Sequence, residues 1–108
     1  MRVQITTRKC DVAQDARDRA TTLIQKLEKF EPAIQSAELV FEEERHSRKV
    51  EGILSIARSE PVIATGQGDE FTTAADDLSN KLSKILRRRR SQIRDRARAG
   101  AGEPSEEE

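Results

Sequence analysis

Between Leu78 and Arg98 the chain sets nine basic residues against a single acid, Asp95. The cations are Lys81, Lys84, Arg87, Arg88, Arg89, Arg90, Arg94, Arg96 and Arg98. Guanidinium groups match phosphate oxygens with two parallel hydrogen bonds. Each phosphate contact also releases condensed counterions, which favours binding. Lys81, Lys84 and Arg88 follow an i, i+3, i+7 spacing. On a helix that spacing projects them from the side away from Leu78, Leu82 and Ile85. Arg87, Arg90, Arg94 and Arg98 extend the positive surface along the same rod. No acid within the stretch stands four residues before these cations to turn it into an ordinary salt-bridged helix. A solvated face is the bland alternative, and nine cations against one acid argue against it.

Other constellations carry less chemistry. Cys10 is the only cysteine and His46 the only histidine. One of each makes no soft-ligand set for zinc, and a nucleophile pair would also need an orienting group and a pocket. Cys10 reads as a reduced thiol with no intrachain disulfide. Asp76 and Asp77 are neighbours on a helical pattern, so they point about 100° apart and cannot face one another. Glu42, Glu43 and Glu44 alternate faces at a strand end. The glycines of TGQGDE (65–70) precede a helix but lack the Lys-Ser/Thr of a phosphate-binding loop. The expectation is no catalytic site, no metal and no cofactor. Aromatics are limited to Phe30, Phe41 and Phe71, all on or near expected core faces. Exposed aromatics are what base stacking requires, so recognition of backbone and shape is favoured.

The 108 residues suit one domain, with 34% hydrophobic and 37% charged residues and a small core. Twenty basic residues balance twenty acidic ones, yet in separate blocks. The acids gather at Glu42–Glu44, in the first helix and from Glu103 to Glu108. A neutral total built this way gives a dipolar molecule with one strongly positive surface. No apolar run approaches the roughly 18 residues of a membrane span, and MRVQITTRK has no signal-peptide core. The expected location is the cytoplasm.

These side chains need elements to position them. RVQITTR (2–8) alternates and predicts a strand. Ala16, Ala20, Leu23, Ile24 and Leu27 recur at helical spacing, predicting a helix over about 12–30 that Pro32 ends. Asp11 with Gln14 resembles a capping box at its start. Ala37, Leu39 and Phe41 mark a strand over about 35–44, with Val40 out of phase. KVEGILSIA (49–57) pairs with it as a hairpin, and Gly52 there points to a bulge or weak spot. PVIATGQG (61–68) is a fourth strand. Asp69 is placed to cap a second helix, which presents Phe71, Ala74, Ala75, Leu78, Leu82, Ile85 and Leu86 and runs to about Arg98. The fold class is α+β, in the order β-α-β-β-β-α: a four-stranded sheet with two helices packed on one face. Leu23, Leu27, Leu39, Ile56, Leu78 and Leu82 should be buried. A right-handed first crossover makes strands one and two parallel if they are neighbours. The domain spans 1–98, and 99–108 form an acidic tail expected to be disordered.

The opening VQIT-TR, Arg17 with KLEKF (26–30), and GDEFTTAADDLSNKL (68–82) leading into basic residues resemble the short ribosome hibernation promoting factors. That family is also called ribosome-associated inhibitor A or sigma-54 modulation protein. The resemblance covers about residues 2–90. It is most specific at Gly68, Asp69, Ala74, Asp76, Lys81 and Leu82. Departures include Thr72 where a Tyr is common, Arg19 where an aromatic or aliphatic residue is common, Leu23 for a frequent Lys, and Ala13 for a Thr. The resemblance implies a fold similar to a double-stranded RNA-binding domain. It also implies binding in the decoding channel of the small ribosomal subunit, across the paths of mRNA and tRNA. RNA contacts carried over by position are Arg8, Lys26, Lys29, Lys81, Lys84, Arg87, Arg88 and Arg90. The expected protein is a non-enzymatic translation inhibitor of the stress response, of the short form without the further domain of long members. It is a monomer when free, with ribosomal RNA as partner and no membrane or small-molecule substrate. Two other readings stay open: a general double-stranded RNA binder, and a protein-interaction module regulating a transcription factor.

Overall fold

The computed structural model describes residues 1–99, the side chains of 93–99 excepted. The elements are β1 (Arg2–Arg8), α1 (Gln14–Gln25) running into a 3-10 turn (Lys26–Lys29), β2 (Ile34–Glu43), β3 (Arg48–Ile56), β4 (Val62–Gly68) and α2 (Phe71–Ala99). The sheet order is β1-β2-β3-β4. β1 and β2 are parallel, and the other two pairs are antiparallel. The expected α+β architecture is therefore the observed one.

Strand alternation builds the core. Ala37, Leu39 and Phe41 of β2 pair across with Leu54, Gly52 and Val50 of β3, and these apolar side chains are buried. Val3 and Ile5 stand opposite Ala37 and Leu39 and complete that face. The register shifts between Ile34 and Ser36. One extra residue reverses side-chain phase, so Ile34 joins the same face opposite Ile56. Ala16, Ala20, Ile24 and Leu27 from the first helical segment, and Ala74, Ala75, Leu78, Leu82 and Leu86 from α2, close the cluster. Both helices thus cover one face of the sheet. The other face is polar apart from Val40, Ile53 and Ile63, and Ile63 is 55% exposed.

Gly66 brings α2 onto the sheet. A Cβ at that position would lie 2.2 Å from the Ala74 carbonyl oxygen and 2.4 Å from the Leu78 nitrogen. Backbone meets backbone there, so only glycine fits.

Several expectations need correction. Gly52 is not a bulge; it leaves room for the Leu78 and Leu82 side chains, 3.0 and 3.2 Å from where a Cβ would stand. The Asp11 capping box does not form. Val12 is drawn into the core, Ala13 is extended, and the helix starts at Gln14. Arg17 Nε donates to the Val12 carbonyl there. The helix expected to reach residue 30 leaves α geometry after Gln25 and tightens into the 3-10 turn. Asp69 makes no side-chain hydrogen bond to a helix N–H among the described residues; the first helical bond runs from Ala74 N–H to the Glu70 carbonyl. Leu23 is only half-buried, since it lies at the rim of the α1 stripe. Ile85 is 36% exposed, because Leu82 and Leu86 already fill the line facing the sheet. Leu27, Leu39, Ile56, Leu78 and Leu82 are buried as expected. The tail residues from Gly100 onward lie outside the described residues.

Candidate nucleic-acid interface

The two helices lie side by side above the sheet. Arg19 and Asp76 bridge them through a 2.9 Å ion pair. Helical spacing then divides the outer surface of α2 into two flanks and a crest. Asp76, Arg87 and Arg90 face the first helical segment. Asp77 and Lys81 face β4, with Arg88 at nearly the same angle two turns beyond Lys81, and Lys84 lies toward the crest, away from the sheet.

Six of the eight expected contacts share this outer surface. Lys26 and Lys29 are exposed at the end of the first helical segment, and Lys84, Arg87, Arg88 and Arg90 are exposed on α2. Among the described residues none of the six forms an ion pair with an acid. Their charges are open to an anionic partner.

Lys81 is different. Its Nζ lies 3.2 Å from Asp77 Oδ2 and donates to the Thr65 carbonyl at 2.8 Å. This corrects the expectation that no acid stands four residues before a cation in α2, because Asp77 lies just upstream of Leu78. Asp77 also accepts the Gln67 N–H at 3.0 Å. That backbone hydrogen bond, assisted by Lys81 and opposed by desolvation, holds the Asp77 carboxyl below its ordinary pKa of 3.8. Together the two side chains cap backbone groups on the free edge of β4. Edge strands left open invite pairing with other chains, so Lys81 here guards an edge.

Arg8 is not brought to the helices. It stands opposite Glu42, and strand parity puts both on the polar face of the sheet. Arg89 is the structural member of the Arg87–Arg90 run. Its guanidinium meets Glu31 Oε1 at 2.9 Å and donates to Ser59 Oγ at 2.8 Å. The pair is 25% and 18% exposed, and it ties α2 to the loops on either side of β2 and β3.

Sequence reasoning missed Phe30. It is half-buried against the core, with Lys29 Nζ 5.2 Å and Arg87 Cζ 5.7 Å from the ring centroid. Both distances are within cation–π range. Arg90 Nη1 donates to the Phe30 carbonyl at 3.1 Å. KLEKF placed Phe30 at the end of an apolar stripe, which gives no sign of what α2 brings to it.

The acidic strand end is largely neutralised. Lys49 Nζ reaches Glu44 at 2.9 Å and Glu42 at 3.8 Å, and Arg48 reaches Glu43 at 3.4 Å. The Glu44 carboxylate accepting from Lys49 raises that ammonium's pKa above its ordinary 10.5. Elsewhere, the Cys10 thiol donates to the Phe41 carbonyl at 3.6 Å, and His46 is exposed in the β2–β3 turn. Among the described residues no three His, Cys, Asp or Glu side chains are grouped to hold a metal ion, and no helix is long and apolar enough to cross a membrane.

Comparison with known proteins places this surface in context. Residues 3–94 match the family model described as sigma 54 modulation protein / S30EA ribosomal protein. Comparison with curated proteins returned no match. Among solved structures, a ribosomal subunit interface protein from Coxiella burnetii superposes with a TM-score of 0.77 at 18% identity, covering 84% of this chain and 99% of that one. The N-terminal domain of Protein Y from Thermus thermophilus gives a TM-score of 0.71 at 15% identity, covering 82% and 98%. At these identities the two structures attest the fold.

Proposed function

The chain belongs to the sigma 54 modulation protein / S30EA ribosomal protein family, and from that premise we propose that it is a cytoplasmic hibernation factor seated in the decoding channel of the small ribosomal subunit. Bound there, it excludes mRNA and tRNA by occupancy. No bond is made or broken. The observation that carries this reading is the helical surface of Lys26, Lys29, Lys84, Arg87, Arg88 and Arg90, whose charges have no acid partner among the described residues.

Ribosomal RNA is the partner this surface fits. Unpaired cations on a rigid scaffold gain from phosphate contact through counterion release, and most of the attraction is independent of base sequence. Shape then selects the site. Double-stranded RNA is read mainly through backbone and groove geometry, and two helices on a sheet give a fixed spacing of cations. The name of the Coxiella relative, a subunit interface protein, agrees with a site between subunits. The competing protein-module reading relied on Glu42–Glu44, which the structure finds paired with Lys49 and Arg48.

The test is competition on purified small subunits. Pre-bound protein should lower tRNA and mRNA binding in proportion to its occupancy, and its own affinity should fall steeply as salt rises. Full tRNA binding to subunits saturated with the protein would refute channel occupancy. Equal affinity for any RNA duplex and for the subunit would favour a general duplex binder.

A further inference from the structure

We propose that Phe30 organises Lys29, Arg87 and Arg90 into one preformed seat for a phosphodiester group of RNA. This rests on the reading that the helical surface faces RNA, and it adds a positioning residue that charge alone does not reveal.

The geometry is specific. Two cations from different elements share one aromatic ring: Lys29 Nζ at 5.2 Å and Arg87 Cζ at 5.7 Å from its centroid. A third, Arg90, donates to the carbonyl of the same residue at 3.1 Å. The acid that follows in sequence, Glu31, is consumed by Arg89 at 2.9 Å. Three positive charges therefore converge on one residue with no acid partner among the described residues. Like charges so placed repel, and the arrangement is relieved by an anion between them.

Phe30 differs from the other aromatics in taking two cations, where Phe71 takes one, Arg48 Cζ at 5.9 Å from its centroid. Phe41 and Phe71 pack edge to face with centroids 5.5 Å apart and serve the core. Phe30 sits where the 3-10 turn meets α2, partly exposed. Its ring carries cations where a stacked base would otherwise sit, so the seat takes backbone phosphate. Long exposed cationic side chains otherwise sample many rotamers and must be ordered on binding. Fixing them beforehand removes that cost. Arg89, tied to Glu31 and Ser59, sets the rotation of α2 that aims Arg87 and Arg90 at the seat.

The experiment compares Phe30→Leu with Phe30→Tyr, which keeps the ring, and with Lys29, Arg87 and Arg90 replaced together by Gln. Binding of the full chain to small subunits is measured across a salt series, with thermal unfolding of every variant. Phe30→Leu should bind about five- to tenfold more weakly. Its salt dependence should keep the wild-type slope, because no charge has changed. Phe30→Tyr should bind within about twofold of wild type. Adding Phe30→Leu to the triple Gln variant should cause no further loss, as expected of a residue acting through those cations. The seat is overturned if Phe30→Leu binds as wild type, if Leu and Tyr weaken binding equally, or if the Leu change still weakens the triple variant. Should Phe30→Leu not fold, the triple variant decides: undiminished binding overturns the seat.

A second arm separates this claim from the ribosome reading. Side-chain Nε–H resonances of Arg87 and Arg90 are followed while a short RNA duplex is titrated into wild-type protein. Concerted shifts of both support the seat even if subunit binding fails. Absence of shifts at saturating RNA overturns it.

Discussion

At the scale of single residues, charge type does not predict role. Lys81 and Arg88 are both basic and share the α2 rod, yet Lys81 bonds Asp77 and the Thr65 carbonyl while Arg88 has no acid partner among the described residues. Arg88→Ala should therefore weaken subunit binding and lower the salt slope by up to about one unit, with little change in stability. Lys81→Ala should loosen α2 from β4 more than it weakens binding. Asp77 adds a pH dependence. Its folded pKa lies below the ordinary 3.8, so its stabilisation is present above that value and is lost as pH falls through the folded value. The stability difference between wild type and Asp77→Asn, read from urea unfolding, should be present at pH 6, begin to shrink as pH approaches 3.8, and disappear only once pH is below the still lower folded value. A difference that persists in strong acid would mean the carboxylate charge is not what matters. Gly66→Ala should cost about 1–3 kcal/mol or more, as overpacking does, because its Cβ has no room beside the Ala74 carbonyl. Denaturant midpoints check this directly.

At the scale of elements, α2 does two jobs along one length. Up to Leu86 it buries an apolar line against the sheet, and from Arg87 to Ala99 it continues past the last buried side chain among those described. Leu82→Ala should cost roughly 2–5 kcal/mol by leaving a cavity under α2; a loss below about 0.5 kcal/mol in chemical denaturation would contradict the packing. Periodicity made these elements legible. Strand bounds fell within one residue because alternation is strict in Val50, Leu54 and Ile56, and the α2 face followed from 3.6-residue spacing. Legibility ended where tertiary contact overrides local signal. Asp11 looked like a cap, but burying Val12 moved the helix start to Gln14. Gly52 looked like a bulge because sequence cannot show Leu78 and Leu82 above it. Among the site residues, the cationic surface was readable as composition. The neutralisation of Arg89 by Glu31, the latch at Lys81, the far-face position of Arg8 and the cations around Phe30 each depend on partners remote in the chain.

At the scale of the whole molecule, zero net charge conceals an ordered separation. Acids and bases on the polar sheet face and the β2–β3 turn pair with each other through Lys49, Arg48 and Glu42–Glu44. The helical layer keeps Lys26, Lys29, Lys84, Arg87, Arg88 and Arg90 unpaired among the described residues. A protein of this family that acts by occupancy needs one surface that adheres to RNA and another that does not. The most direct test reverses the first surface. With Lys84, Arg87 and Arg88 all replaced by Glu, the fold should persist, since these side chains are exposed. Co-sedimentation with purified small ribosomal subunits, read beside inhibition of a cell-free translation reaction, gives the decisive comparison. Loss of both by the folded triple variant is the expected result. A folded triple variant that still sediments with the subunit and inhibits translation at wild-type concentration would contradict the account.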